Sequence, residues 1–168
     1  MISRRVVPCV LLLLATAPVL PQSEECGGWG LTDVARESGI DFLHERGGSG
    51  RKHLPETMGA GAAWLDADGD GLIDLYVVQS GPFPPTGTED AANRLYLKRG
   101  GGRFEEALEF GGADRGYGQG VVAADYDGDG DSDLFVCNYG ADRLYRNDGS
   151  GQFEDVTEES GIEIDGWS

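Results

Sequence analysis

The stretch DADGDGLIDL, Asp66 to Leu75, returns as DYDGDGDSDL, Asp125 to Leu134, so one frame, DxDGDGxxDL, occurs twice at an offset of 59 residues. In both copies carboxylates stand at frame positions 1, 3, 5 and 9: Asp66, Asp68, Asp70 and Asp74, then Asp125, Asp127, Asp129 and Asp133. Gly69 and Gly71, and likewise Gly128 and Gly130, fill positions 4 and 6. Carboxylates packed this closely repel one another unless a cation sits among them, and glycine lets the backbone curl tightly enough to aim alternate side chains at one point. Hard oxygen ligands suit Ca²⁺, and the frame holds none of the thiolates or imidazoles that zinc and copper prefer. Each loop therefore reads as a calcium cage. The alternative is an Asp/Gly turn without an ion, since both residues favour turns for backbone reasons; the repetition weighs against it.

The frame is not that of an EF-hand, whose loop closes with a glutamate at position 12, because Val77 and Val136 stand there. The flanks LIDLYVV (72–78) and DLFVCNY (133–139) are short and rich in β-branched and aromatic residues, which predicts strands on either side of the loop. Upstream, GAAWL (61–65) and GVVAA (120–124) read as strands leading into each loop. Downstream, NRLYLKRGGGRFEEA (93–107) and DRLYRNDGSGQFEDV (142–156) match at the shorter offset of 49, and each reads as a hairpin with a glycine turn. Each unit is then four strands long. The ten residues by which the offsets differ fall in SGPFPPTGTEDAAN (80–93), expected to be a surface loop.

TDVARESGI (32–40) and EDVTEESGI (154–162) are nearly the same phrase, and FEEALEFGG (104–112) is a looser version. Repeats that each form one small antiparallel sheet cannot bury an apolar face alone, so they stack. The expected fold is all-β: four-stranded antiparallel blades of an incomplete β-propeller, with two complete blades. The expected organisation is a signal peptide at 1–23, an N-terminal strand and loop at 24–58, blades at 59–107 and 108–162, and the start of a further blade at 163–168. Closed propellers use about 4–8 blades. The sequence therefore reads as a fragment or truncated product, with a ring assembled from two-blade chains as the alternative.

These residues resemble the FG-GAP or VCBS-type repeats of integrin-α-like propellers. The run LPETMGAGAAWLDADGDGLIDLYVV with FEDVTEESGI is similar to bacterial secreted proteins of the cartilage acidic protein and ASPIC/UnbV group. The resemblance covers about residues 31–168. It implies a calcium-binding, non-catalytic extracellular propeller, with the eight aspartates as ligands and the backbone carbonyls of Leu72 and Asp131 at position 7. No ASPIC/UnbV-like C-terminal region is visible.

Residues 1–23 differ from the rest: Arg4 and Arg5, the apolar run VVPCVLLLLATAPVL (6–20), then a polar break. This is the pattern of a secretory signal peptide, with cleavage after Ser23 or Ala17. An uncleaved anchor is the lesser reading, because the run is short and carries Pro8 and Pro18. The formal net charge is −17, and only Arg4 and Arg5 among the charged residues precede residue 24, so the mature chain is two charges more acidic. Nucleic acid is excluded as a partner on that ground. Cys26 and Cys137 are too few for a disulfide framework; Cys137 reads as a buried thiol, with a bridge to Cys26 as the alternative.

No catalytic constellation emerges. GYGQGVVAAD (116–125) has GxGxG spacing and leads into a strand, unlike a nucleotide loop. His44 and His53 lie in a basic island (41–58) without a Cys or Ser/Asp companion, and Trp29, Trp64 and Trp167 read as core or repeat-packing residues. The function expected is a secreted, calcium-dependent, non-catalytic adhesion or interaction scaffold. Its partner would be an extracellular protein or polysaccharide, with no membrane span in the mature chain. The alternative is the accessory propeller of a larger exported enzyme whose catalytic region lies beyond residue 168.

Overall fold

Both aspartate loops join antiparallel strands, as the short β-branched flanks predict. The computed structural model describes residues 31–83 and 92–162 and the backbone of 165–167. The expected signal peptide, Cys26, Trp29 and the centre of the 80–93 loop lie outside the described residues. Val34–Ser168 is one unit and is treated by itself.

The first sheet has the order β1 (Ala62–Leu65), β2 (Asp74–Val77), β3 (Arg94–Arg99), β4 (Arg103–Ala107). The second repeats it with β5 (Gly118–Ala124), β6 (Asp133–Ala141), β7 (Arg143–Asn147) and β8 (Phe153–Asp155). Every pairing is antiparallel, and the equivalent registers Trp64↔Leu75 and Ala123↔Leu134 place both loops at the same end of their sheets. The chain is thus nearly all-β, built of two four-stranded antiparallel blades; the sheets stay open and form no closed barrel among the described residues.

Alternation of side chains explains the packing. Tyr76 and Val78 of the first repeat face Leu134, Val136, Tyr145 and Phe153 of the second in one shared core. On the opposite face of the first sheet, Leu75, Val77 and Tyr96 are covered by Ile40, Phe42 and Phe104. Strand β2 is consequently buried at every position. Between the sheets, a side chain at Gly61 would come within 2.9 Å of the Gly120 Cα, so glycine there permits close approach of β1 and β5.

The repeated phrase has a structural role that its sequence does not disclose. Residues 31–58 contain no strand; they make a turn near 35–39 and a short helix, α1 (Leu54–Met58). The turn docks on the first sheet, with the Phe104 amide donating to the Ser38 carbonyl at 2.6 Å. The looser copy does the same one repeat later: the Phe153 amide donates to the Phe110 carbonyl at 2.7 Å. The phrase is therefore the seam by which the chain leading into a repeat lies along that repeat's fourth strand. The third copy runs into α2 (Thr157–Ser160). Beyond it, β9 (Asp165–Trp167) pairs with Tyr139–Ala141 of β6.

Two side-chain expectations change. Trp64 is exposed, tilted against Phe104 at a centroid distance of 6.3 Å, because it alternates outward on β1. The ends of the 80–93 segment are buried: Ser80 donates to the Gly118 carbonyl, and Asn93 accepts from the Gln79 amide. Cys137 is half-buried in β6.

Candidate metal centre

Glycine at frame positions 4 and 6 fits the backbone found there: φ is +69° and +81° at Gly69 and Gly71, and +83° and +102° at Gly128 and Gly130. These left-handed turns fold each loop back, so that its first carboxylate accepts amides further along it. Asp66 accepts from Gly71, and Asp125 from Gly128 and Gly130.

The curl brings one oxygen each of Asp66, Asp68 and Asp74 within 4.8 Å of one another, and likewise Asp125, Asp127 and Asp133. Two oxygens that share a calcium ion at about 2.3–2.6 Å lie at most about 5 Å apart, so both triads have the span of a coordination sphere. Asp70 and Asp129 lie outside the triads. Asp70 accepts the Leu72 amide and Asp129 the Asp131 amide, which orients the backbone at position 7.

The first loop also holds oxygens that a cation would satisfy. Asp66 Oδ1 and Asp68 Oδ1 are shielded from solvent and have no hydrogen-bond partner. A buried anionic oxygen without a donor is costly, and a hard cation satisfies it. The oxygens brought together are all carboxylate oxygens, a hard donor set that fits calcium. Asp125 and Asp127, at the same positions of the second loop, are exposed residues.

Position 9 does two jobs. Asp74 is fully buried; its Oδ2 accepts the Ala67 amide at 2.8 Å and its Oδ1 the Lys98 amide at 2.6 Å. Asp133 repeats this with the amides of Tyr126 and Asn147. The side chain thereby ties the loop to the third strand of its own sheet. Burial pushes the Asp74 carboxyl above its usual range, helped by Asp68 and Asp70, while the two amides pull the other way. Asp131 is also raised, first by partial desolvation and then by Asp129, Asp133, Asp125 and Asp148.

Residues the frame alone does not name complete the surroundings. Arg99 Nη1 donates to Asp68 Oδ2 at 2.9 Å. Asn147, in the second sheet, donates across the seam to the Ala67 carbonyl at 3.0 Å. Arg99 stands opposite Asp148 when the hairpins are aligned, a contrast visible in the sequence.

Repeated four-stranded sheets, each with an aspartate loop between its first two strands, define a propeller-type repeat domain. The profile of the FG-GAP-like repeat matches residues 66–136 and 125–168, more than half of the chain, which belongs to that family. Among curated proteins none matches the chain significantly.

Proposed function

We propose that this chain is a secreted, calcium-binding propeller-repeat protein that acts as a non-catalytic scaffold for adhesion or interaction. Its grouping with VCBS-type repeats and with the ASPIC/UnbV group belongs to the same reading. The observation that carries the calcium assignment is the pair of solvent-shielded, unpartnered oxygens of Asp66 and Asp68 inside a carboxylate triad that recurs in the second repeat. Calcium would neutralise each loop and fix it against its sheet, leaving the surrounding surface in one conformation for an extracellular protein or polysaccharide. Extracellular calcium modules bind at about 10⁻⁴–10⁻³ M, which suits a permanent structural role. The strongly acidic chain and the apolar leader support export and argue against nucleic acid. No helix among the described residues is long and apolar enough to cross a membrane.

A calorimetric calcium titration of the purified chain, beside the Asp66→Ala/Asp125→Ala double variant, tests the reading. Two ions bound by the wild type and none by the variant are expected. A folded wild-type chain that takes up no calcium would overturn it.

A further inference from the structure

The hairpin facing each loop carries opposite charge in the two repeats. Arg99, the last residue of β3, holds Asp68 Oδ2 at 2.9 Å, lies 3.8 Å from Asp70 Oδ2, and reaches Glu105 through Nε at 3.3 Å. With Leu95 aligned to Leu144, its place in the second hairpin is taken by Asp148. The second hairpin packs against its loop at this point: a side chain on Gly149 would come within 2.5 Å of Asp131 Oδ2. Arg146, two positions earlier on β7, pairs with Glu154 at 2.7 Å. Position 7 shifts the charge in the same direction, from Leu72 to Asp131. The first loop thus sets four aspartates against a guanidinium, whereas the second gathers Asp125, Asp127, Asp129, Asp131 and Asp133 beside Asp148.

We propose that this charge reversal makes the two loops unequal calcium sites, with Arg99 as a built-in counter-charge that holds the first at lower affinity and Asp148 with Asp131 making the second tighter. The inference rests on the calcium reading above. Arg99 does not plug the first cage, because it engages Oδ2 of Asp68 and leaves Oδ1 unpartnered. It acts through its charge, and calcium affinity follows the charge count of the ligands and their surroundings. A unit charge about 7 Å from a divalent ion changes affinity roughly three- to tenfold even at water-like screening. The second loop therefore fills first as calcium rises, and the first fills later.

The test is calorimetry with calcium alone on single-site chains at physiological ionic strength. Asp125→Asn isolates the first site, measured with and without Arg99→Gln; Asp66→Asn isolates the second, with and without Asp148→Asn. Arg99→Gln should tighten the first site and Asp148→Asn weaken the second, each by roughly three- to tenfold, while Arg99→Lys keeps the wild-type value. The Asp148 arm stands on an exposed turn whose Ser150 hydrogen bonds an asparagine oxygen can accept, so it remains informative if Arg99→Gln fails to fold. Unchanged constants in both arms, with each Asp→Asn change still removing one ion, would overturn this inference and leave the calcium reading intact. A wild-type chain that binds no calcium would overturn both.

Discussion

Asp74→Ala should destabilise the chain even after a chelator has removed every divalent cation, and Asp66→Ala should not. Both residues belong to the first triad, so an account in which the aspartates serve only the ion treats them alike. Their hydrogen bonds separate them. Asp74 is fully buried and accepts the amides of Ala67 and Lys98, and Ala67 is itself inaccessible to solvent. Truncation leaves the Ala67 amide unpaired and dry, a loss of about 1–3 kcal/mol, with a smaller loss at the partly wetted Lys98 amide. Removing a buried carboxylate returns part of this, since burial already disfavours its charged form. The last two roughly offset each other, so the net destabilisation is about 1–3 kcal/mol, a sizeable part of the roughly 5–15 kcal/mol that holds a domain together. Asp66 accepts a single amide, that of Gly71, in a solvent-exposed hydrogen bond, and its removal also relieves repulsion. Its effect in chelator should stay within about 0.5 kcal/mol of the wild type. Urea denaturation at neutral pH in excess EDTA, followed by circular dichroism, measures both. Equal midpoints for the two variants would refute the clamp and reduce position 9 to an ion ligand. Asp133→Ala against Asp125→Ala provides the same comparison in the second repeat.

The seam makes a second prediction. A side chain at Gly111 or Gly39 would land on the carbonyl oxygen of Phe153 or Phe104, and both glycines have positive φ, so alanine at either should lower stability by about 2–4 kcal/mol. At Gly161 φ is also positive but the space is open, and alanine there should cost only about 1 kcal/mol, all three variants being compared by thermal melts. Asn147→Ala removes the bonds to the Ala67 and Ser132 carbonyls. It should destabilise by about 1–3 kcal/mol and speed hydrogen exchange in the first loop, although Asn147 belongs to the second sheet. Burial pushes the His44 imidazole below its usual value, partly offset by the Gln79 side chain. The unfolded chain then binds the extra proton first, so this contribution is full above about pH 6.5 and is lost as pH falls through the folded value. Urea midpoints of His44→Gln should fall less steeply than those of the wild type between about pH 7 and 5.

The strands were legible because each has a local signature. Short β-branched runs and glycine hairpins placed β1 to β8 within a few residues, and the offset change from 59 to 49 located the extra segment between β2 and β3. What sequence misread depends on contacts between distant segments. The phrase at 32–40 carries no sign that Ser38 will accept from Phe104, so the docking turn formed there was not legible. Trp64 looked like a packing residue by type, yet strand alternation turns it outward. The second role of Asp74 was equally hidden, since its Lys98 partner lies across a strand register that the loop does not encode. Arg99 was missed as well, although aligning the two hairpins sets it against Asp148 in the sequence.

Two copies of one frame nevertheless make loops of different burial, and the cause lies outside the frame. The first loop is partly covered because the second hairpin lies over it: a Cβ at Gly69 would come within 3.2 Å of the Gly149 carbonyl, one at Gly151 within 3.5 Å of Asp68, and Asn147 bonds the Ala67 carbonyl. That cover shields the oxygens of Asp66 and Asp68. Asp125 and Asp127, in the same frame positions, remain exposed. Burial and charge therefore vary independently between the two loops: the covered one carries the guanidinium, and the open one carries the extra carboxylates. A cation bound in the first loop would sit where two repeats touch, so neutralising it would stiffen the seam as well as the loop. A cation in the second would act on a single sheet. Calcium at the first site should thus raise the cooperativity between the repeats, and calcium at the second should mainly order its own turn.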